Sequence, residues 1–139
     1  MEIKIHATPF ERDGRSYLQI LSPVRVVNPV HGGEMFADLT ALWDTGATNT
    51  CIPMKLAVAM GVPLKEQSVV TKMETNALSR RCQFYLEFPT GDRIFVREAI
   101  AVPSMKAQFV IGMDVISKGV TTITPDGSGG VNFCFEMKE

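Results

Sequence analysis

The sequence predicts an all-β domain, and three observations carry that prediction. Short stretches of period-two or continuous apolar character recur along the chain. Clusters of glycine, proline, asparagine and aspartate separate them. Only two segments carry helical signals, and both are short. Candidate strands fall at residues 2–7, 15–21, 24–28, 34–43, 50–52, 68–74, 81–88, 93–102, 120–124 and 131–137.

The elements follow in order. Met1-Glu2-Ile3-Lys4-Ile5-His6 alternates charged and apolar side chains, as a half-buried strand does. Arg12-Asp13-Gly14-Arg15 supplies the turn into the next strand, with residues that tolerate positive φ. The strand over 34–43 ends on the apolar run Ala41-Leu42-Trp43. A helix is expected from Pro53, suited to the first helical position, through Lys55-Leu56-Ala57-Val58-Ala59-Met60 to a Gly61 cap. Pro89-Thr90-Gly91-Asp92 separates the strands at 81–88 and 93–102. A second helix is expected after Gly112, with Asp114 near its N-terminus, where a carboxylate is favoured, and Gly119 at its end. Pro125-Asp126-Gly127-Ser128-Gly129-Gly130 then turns the chain between its last two strands. No internal linker, repeat or low-complexity tract interrupts the pattern.

Composition narrows the function. The chain has 139 residues, 45 % of them hydrophobic, enough for one domain with a single core. A net charge of −1 and a pI near 6.1 leave no basic footprint for nucleic acid or an anionic membrane. No run reaches the roughly 18 apolar residues of a spanning helix, and residues 1–6 lack a signal-peptide core. The expectation is a cytoplasmic protein with neither nucleic-acid nor membrane partner. Cys51, Cys82 and Cys134 are odd in number and widely spaced among apolar neighbours, which fits buried free thiols better than disulfides or a metal site. His6 and His31 have no companion at ligand spacing, so no metal and no cofactor are expected. Met54, Met60, Met105 and Met113 are expected to fill core gaps.

Two segments carry the chemistry. The first is Ala41-Leu42-Trp43-Asp44-Thr45-Gly46-Ala47-Thr48-Asn49-Thr50-Cys51-Ile52-Pro53, a carboxylate, a hydroxyl and a glycine leaving a strand together. The second is Phe109-Val110-Ile111-Gly112-Met113-Asp114-Val115-Ile116, far downstream. In this order and separation they resemble the two signature segments of the retropepsin-like aspartic protease family, over residues 15 to 118. The resemblance implies a closed, mostly antiparallel acid-protease barrel with one or two short helices.

It also implies a homodimer. Peptide hydrolysis needs a water made nucleophilic and a proton for the leaving amine. Two carboxylates about 3 Å apart that share one proton supply both. The chain has one Asp-Thr-Gly and no second, so the partner Asp44 must come from an identical chain across a two-fold axis.

In that arrangement Asp44, Thr45 and Gly46 are the catalytic residues. Thr45 fastens the two loops through its hydroxyl, and Gly46 turns the chain sharply. Ile111-Gly112 packs behind the loop, with glycine where backbone meets backbone. Ala47, Thr48 and Ile111 are expected to contact a polypeptide substrate, together with Met73, Glu74, Thr75, Asn76 and Ala77 of a covering flap. The arms of that hairpin would be Val69–Glu74 and Arg81–Leu86. Family flaps are rich in glycine, whereas this chain has none between Gly61 and Gly91. Trp43 replaces the more usual aliphatic residue and, by strand alternation, faces the core. The N-terminal strand (2–7) and the C-terminal one (131–137) are expected to form the dimer sheet.

Two other function classes compete with the endopeptidase. A retropepsin-like module that binds peptide or dimerises without cutting fits the glycine-free flap. A structural β domain with a coincidental motif would leave Asp44 unpaired and the chain monomeric.

Overall fold

The computed structural model describes residues 1–30, 35–67 and 79–138. The chain forms β1 (Glu2–Ala7), β2 (Phe10–Arg12), β3 (Arg15–Tyr17), β4 (Leu21–Val27), β5 (Phe36–Trp43), β6 (Cys51–Pro53) and α1 (Met54–Ala59). Then come β7 (Leu64–Gln67), β8 (Arg80–Glu87), β9 (Arg93–Val102), β10 (Phe109–Ile111), α2 (Met113–Ile116), β11 (Val120–Pro125) and β12 (Val131–Glu136).

Six strands close into a barrel in the order β4-β5-β10-β6-β9-β8, with β8 returning to β4 and β7 attached outside β8. The pairs β5–β10 and β6–β9 are parallel and the other four are antiparallel. The closed, mostly antiparallel barrel expected from the sequence is the one observed.

Alternation decides what fills it. Along β8, Cys82, Phe84 and Leu86 are buried while their neighbours turn outward. Phe84 meets Phe109 of β10 edge to face at 5.8 Å. The end of β9, Ala99–Val102, is buried continuously because both helices pack against this strand. Trp43 is buried, as alternation requires, against Phe88, Phe133 and Phe135. Its indole N–H donates to the Ser22 hydroxyl at 2.8 Å.

The departures have local causes. The strand expected over 15–21 divides. Asp13 and Gly14, with φ of +52° and +74°, make a two-residue hairpin turn that joins β2 to β3, and β4 begins only at Leu21. β4 therefore starts earlier than residue 24 and runs through Pro23. Pro23 lies before Arg25, where pairing with β8 begins, so no partner on that side needs its missing N–H. Pro53 is the N-cap of α1 and not its first helical residue. β2, β7 and the three-residue β10 were not among the expected strands, and the strand expected at 68–74 lies outside the described residues. Of the second flap arm, Phe84 and Leu86 belong to the barrel core.

Below the barrel lies a second sheet of three strands, in the order β1-β12-β11. β1 and β12 pair along their whole length, Glu2 with Glu136 through Ala7 with Val131. The terminal ammonium donates to the Met137 carbonyl at 3.0 Å. Strands 2–7 and 131–137, expected to form the dimer sheet, pair with each other within the one chain. β12 is the central strand with no free edge, because β11 covers its other side.

Candidate active site

Asp44 follows the last residue of β5, and three backbone contacts shape its loop. Its N–H donates to the Ile111 carbonyl at 2.9 Å, the Ala47 N–H to the Asp44 carbonyl at 3.2 Å, and the Gly46 N–H to Asp44 Oδ1 at 2.8 Å. The last bond closes a turn around the carboxylate and fixes its orientation. Asp44 is half-buried, whereas Thr45 and Gly46 are exposed.

The loop is braced from behind by the chain leaving β10. Met113 N–H donates to the Ala47 carbonyl at 2.8 Å and Asp114 N–H to the Thr48 carbonyl at 3.1 Å. Gly112 makes this approach possible, since a Cβ there would stand 2.6 Å from the carbonyl carbon and oxygen of Asn49.

Thr50, fully buried, ties the same two segments together. Its hydroxyl donates to Asp114 Oδ1 at 2.7 Å and accepts from the Gly112 N–H at 3.2 Å, while its own N–H reaches Asp114 Oδ1 at 3.0 Å. Asp114 Oδ1 also accepts from the Val115 N–H at 3.0 Å, so this carboxylate serves the start of α2 as expected from its position. Its part in holding Thr50 was not read from the sequence, because 64 residues separate the two.

The expected site residues divide into three groups. Asp44, Thr45, Gly46, Ala47 and Thr48 lie together in the loop. Met73, Glu74, Thr75, Asn76 and Ala77 lie outside the described residues. Ile111, expected to touch substrate, is fully buried in the core and serves the site only through its carbonyl. Successive residues of a strand point to opposite faces. Val110, its neighbour, is half-buried on the other face and pairs with Leu42 on one side and Cys51 on the other. Leu42 stands two residues before Asp44, so it shares that residue's face. Leu42, Val110 and Cys51 thus form an apolar row beside the carboxylate.

Cys51 feels that neighbourhood. Burial first, then the charges of Asp114 and Asp44, push its thiol up to about 11. Cys82 lies in the core, where burial pushes its thiol up to about 12. All three cysteines are free, and Cys51 and Cys134 are half-buried. Among the described residues no three His, Cys, Asp or Glu side chains gather, and no helix is long and apolar enough to cross a membrane. His6 lies in the sheet of the termini and pairs with Asp126 at 2.7 Å, and His31 is outside the described residues.

No family model matches the sequence, and no curated protein matches it. Solved structures do match the fold. A retropepsin-like aspartic protease from Rickettsia conorii superposes with a TM-score of 0.58 at 13 % identity, over 97 % of this chain and 91 % of that one. The retroviral protease-like domain of Ddi1 from Leishmania major gives 0.51 at 17 % identity, over 83 % of this chain and 93 % of that one. With the closed barrel, the strand-end Asp-Thr-Gly loop and the glycine-backed segment behind it, the chain has the retropepsin-like fold.

Proposed function

We propose that the chain is an aspartic endopeptidase that works as a homodimer, with Asp44 of each copy forming the catalytic pair. The observation that carries this reading is the Asp44 loop itself: a half-buried carboxylate oriented by the Gly46 N–H, with Thr45 and Gly46 open to a partner. One member of the pair takes a proton from water as that water attacks the peptide carbonyl. The other gives a proton to the departing amine, and the apparent pKa values belong to the pair. An extended peptide lies along the loop as an added strand, with one apolar side chain over Leu42, Val110 and Cys51. The chemistry needs no metal and no organic cofactor, and we place the protein in the cytoplasm.

The test is incubation with a mixed peptide library at several pH values. Wild type cleaves, and Asp44→Asn, still folded and dimeric, does not. Equal cleavage by the two proteins would end this reading. A second reading, a peptide-binding module that does not cut, is favoured by the absence of glycine between Gly61 and Gly91. It is distinguished by peptide binding to wild type without products.

A further inference from the structure

We infer that Arg81 is a specificity-determining residue, which selects peptides that carry an acidic side chain about four residues from an apolar one. The inference rests on the reading of the Asp44 loop as a peptide site and names the substrate class that the site takes.

The apolar row beside Asp44 does not stop at Cys51. Register carries it across the barrel wall: Leu21 pairs with Leu42, Leu42 with Val110, Val110 with Cys51, Cys51 with Ile100, and Ile100 with Arg81. Directly paired residues project to one face of a sheet, so these side chains form a single line across the strands. Leu21 is exposed at one end, Leu42, Val110 and Cys51 are half-buried, and Ile100 is buried. Arg81 ends the line as an exposed cation. The line is therefore apolar along its length and charged at one end only.

The charged end is tied to the Asp44 loop. Ile100 N–H donates to the Thr50 carbonyl at 2.9 Å, and Asn49 Nδ2 donates to the Glu98 carbonyl at 2.8 Å. These bonds hold the chain leaving Asp44 against the stretch of β9 that pairs with Arg81. Arg81 meets Glu98 through one contact, Nη1 to Oε2 at 3.6 Å, too long for a hydrogen bond. The two side chains are 56 % and 61 % exposed, where an ion pair contributes little. The guanidinium fork is thus open to a substrate carboxylate, which it can hold through two N–H groups at once. Among the described side chains Arg80, next in the chain, is exposed as well, so Glu98 leaves this end of the line positive.

Spacing sets the position of the acid. From Val110 the line reaches Arg81 by way of Cys51 and Ile100, three strand steps. At about 4.8 Å a step that is about 14 Å, which an extended peptide covers in about four residues. An even interval puts both substrate side chains on the same side of the peptide. One lies over Val110 and the other reaches Arg81.

The test uses synthetic peptides with a central Leu and either Glu or Gln four residues from it on each side. Cleavage is read as kcat/KM on the wild type, and binding by fluorescence anisotropy on Asp44→Asn, which separates selection from catalysis. Both readouts should favour the Glu peptides by about threefold or more, and adding Arg81→Gln should abolish the preference while leaving the Gln peptides unaffected. Arg81→Glu should turn the preference toward peptides with Lys at the same place, a reversal that a merely loosened structure would not give. Equal use of Glu and Gln peptides, or a Glu preference that survives Arg81→Gln, overturns the inference and leaves the protease reading standing. Glu-selective binding without cleavage supports the inference and removes catalysis. A protein that neither binds nor cuts any of these peptides overturns both.

Discussion

Gly112→Ala tests whether the Asp44 loop is held from behind by backbone contact. Gly112 has φ −99° and ψ −173°, extended geometry open to any residue, so the substitution adds no torsional cost. What it adds is a methyl 2.6 Å from the Asn49 carbonyl and 2.9 Å from the Ala47 oxygen, where ordinary contact begins at 3.4 Å. Both neighbours are backbone and cannot rotate away. The segments must part by about 0.8 Å, which takes the Met113–Ala47 bond from 2.8 Å to about 3.6 Å, beyond hydrogen-bonding range. The Asp114–Thr48 and Gly112–Thr50 bonds stretch with it. At about 1 kcal/mol net for each bond, the loss is ~3 kcal/mol, at the upper end of what overpacking costs. With a urea slope of about 2 kcal/mol per molar, the unfolding midpoint should fall by about 1.5 M at unchanged slope. A fall under about 0.3 M would show that the two segments are not in firm contact, and the account of the loop's support would fail.

Two further predictions concern stability. Trp43→Phe keeps an aromatic ring against Phe133 and Phe135 but removes the bond to Ser22, whose hydroxyl is left buried. It should cost about 1–3 kcal/mol in denaturant unfolding, and no loss would mean that water replaces the indole. Asp126 accepts from His6, from the Ser128 hydroxyl and from the N–H groups of Ser128 and Gly130; the His6 contact contributes most in holding its carboxyl down at about 2, against an ordinary 3.8. A depressed carboxyl stabilises the fold fully above the ordinary value and loses that contribution as pH falls through about 2. Asp126→Asn should therefore be less stable than wild type at pH 5 and converge on it near pH 2, as read by urea midpoints; parallel midpoints across that range would show that the loop does not depend on this charge.

Much of the fold was legible where a local pattern decides it. The expected bounds of β9 and β1 are those observed, since their alternation and flanking turns are local. The need for glycine at 112 was also readable, as two segments with known roles had to pass close together. What was not legible depends on contacts distant in sequence. Strand order placed β12 between β1 and β11, and nothing in residues 131–136 announces which neighbour takes each side. The Thr50–Asp114 bond joins residues whose local roles each had a sufficient explanation alone. That Ile111 points into the core was not legible, because a short apolar run conceals which face is inward until its neighbours are known.

The pairing of the two chain ends has a consequence for how the molecule is made. Among the described strands β1 is made first and its partner β12 last, so the two cannot pair until the strands between them have been made. Until then the inner faces of both strands are uncovered, and Trp43 lacks the two phenylalanines that enclose it. A nascent chain can close its barrel strands 21–111 while the floor beneath remains open. Contacts of such long separation form slowly and come late in folding. Trp43 is the only tryptophan, so its fluorescence registers the moment at which the floor closes and the Asp44 loop gains its final support.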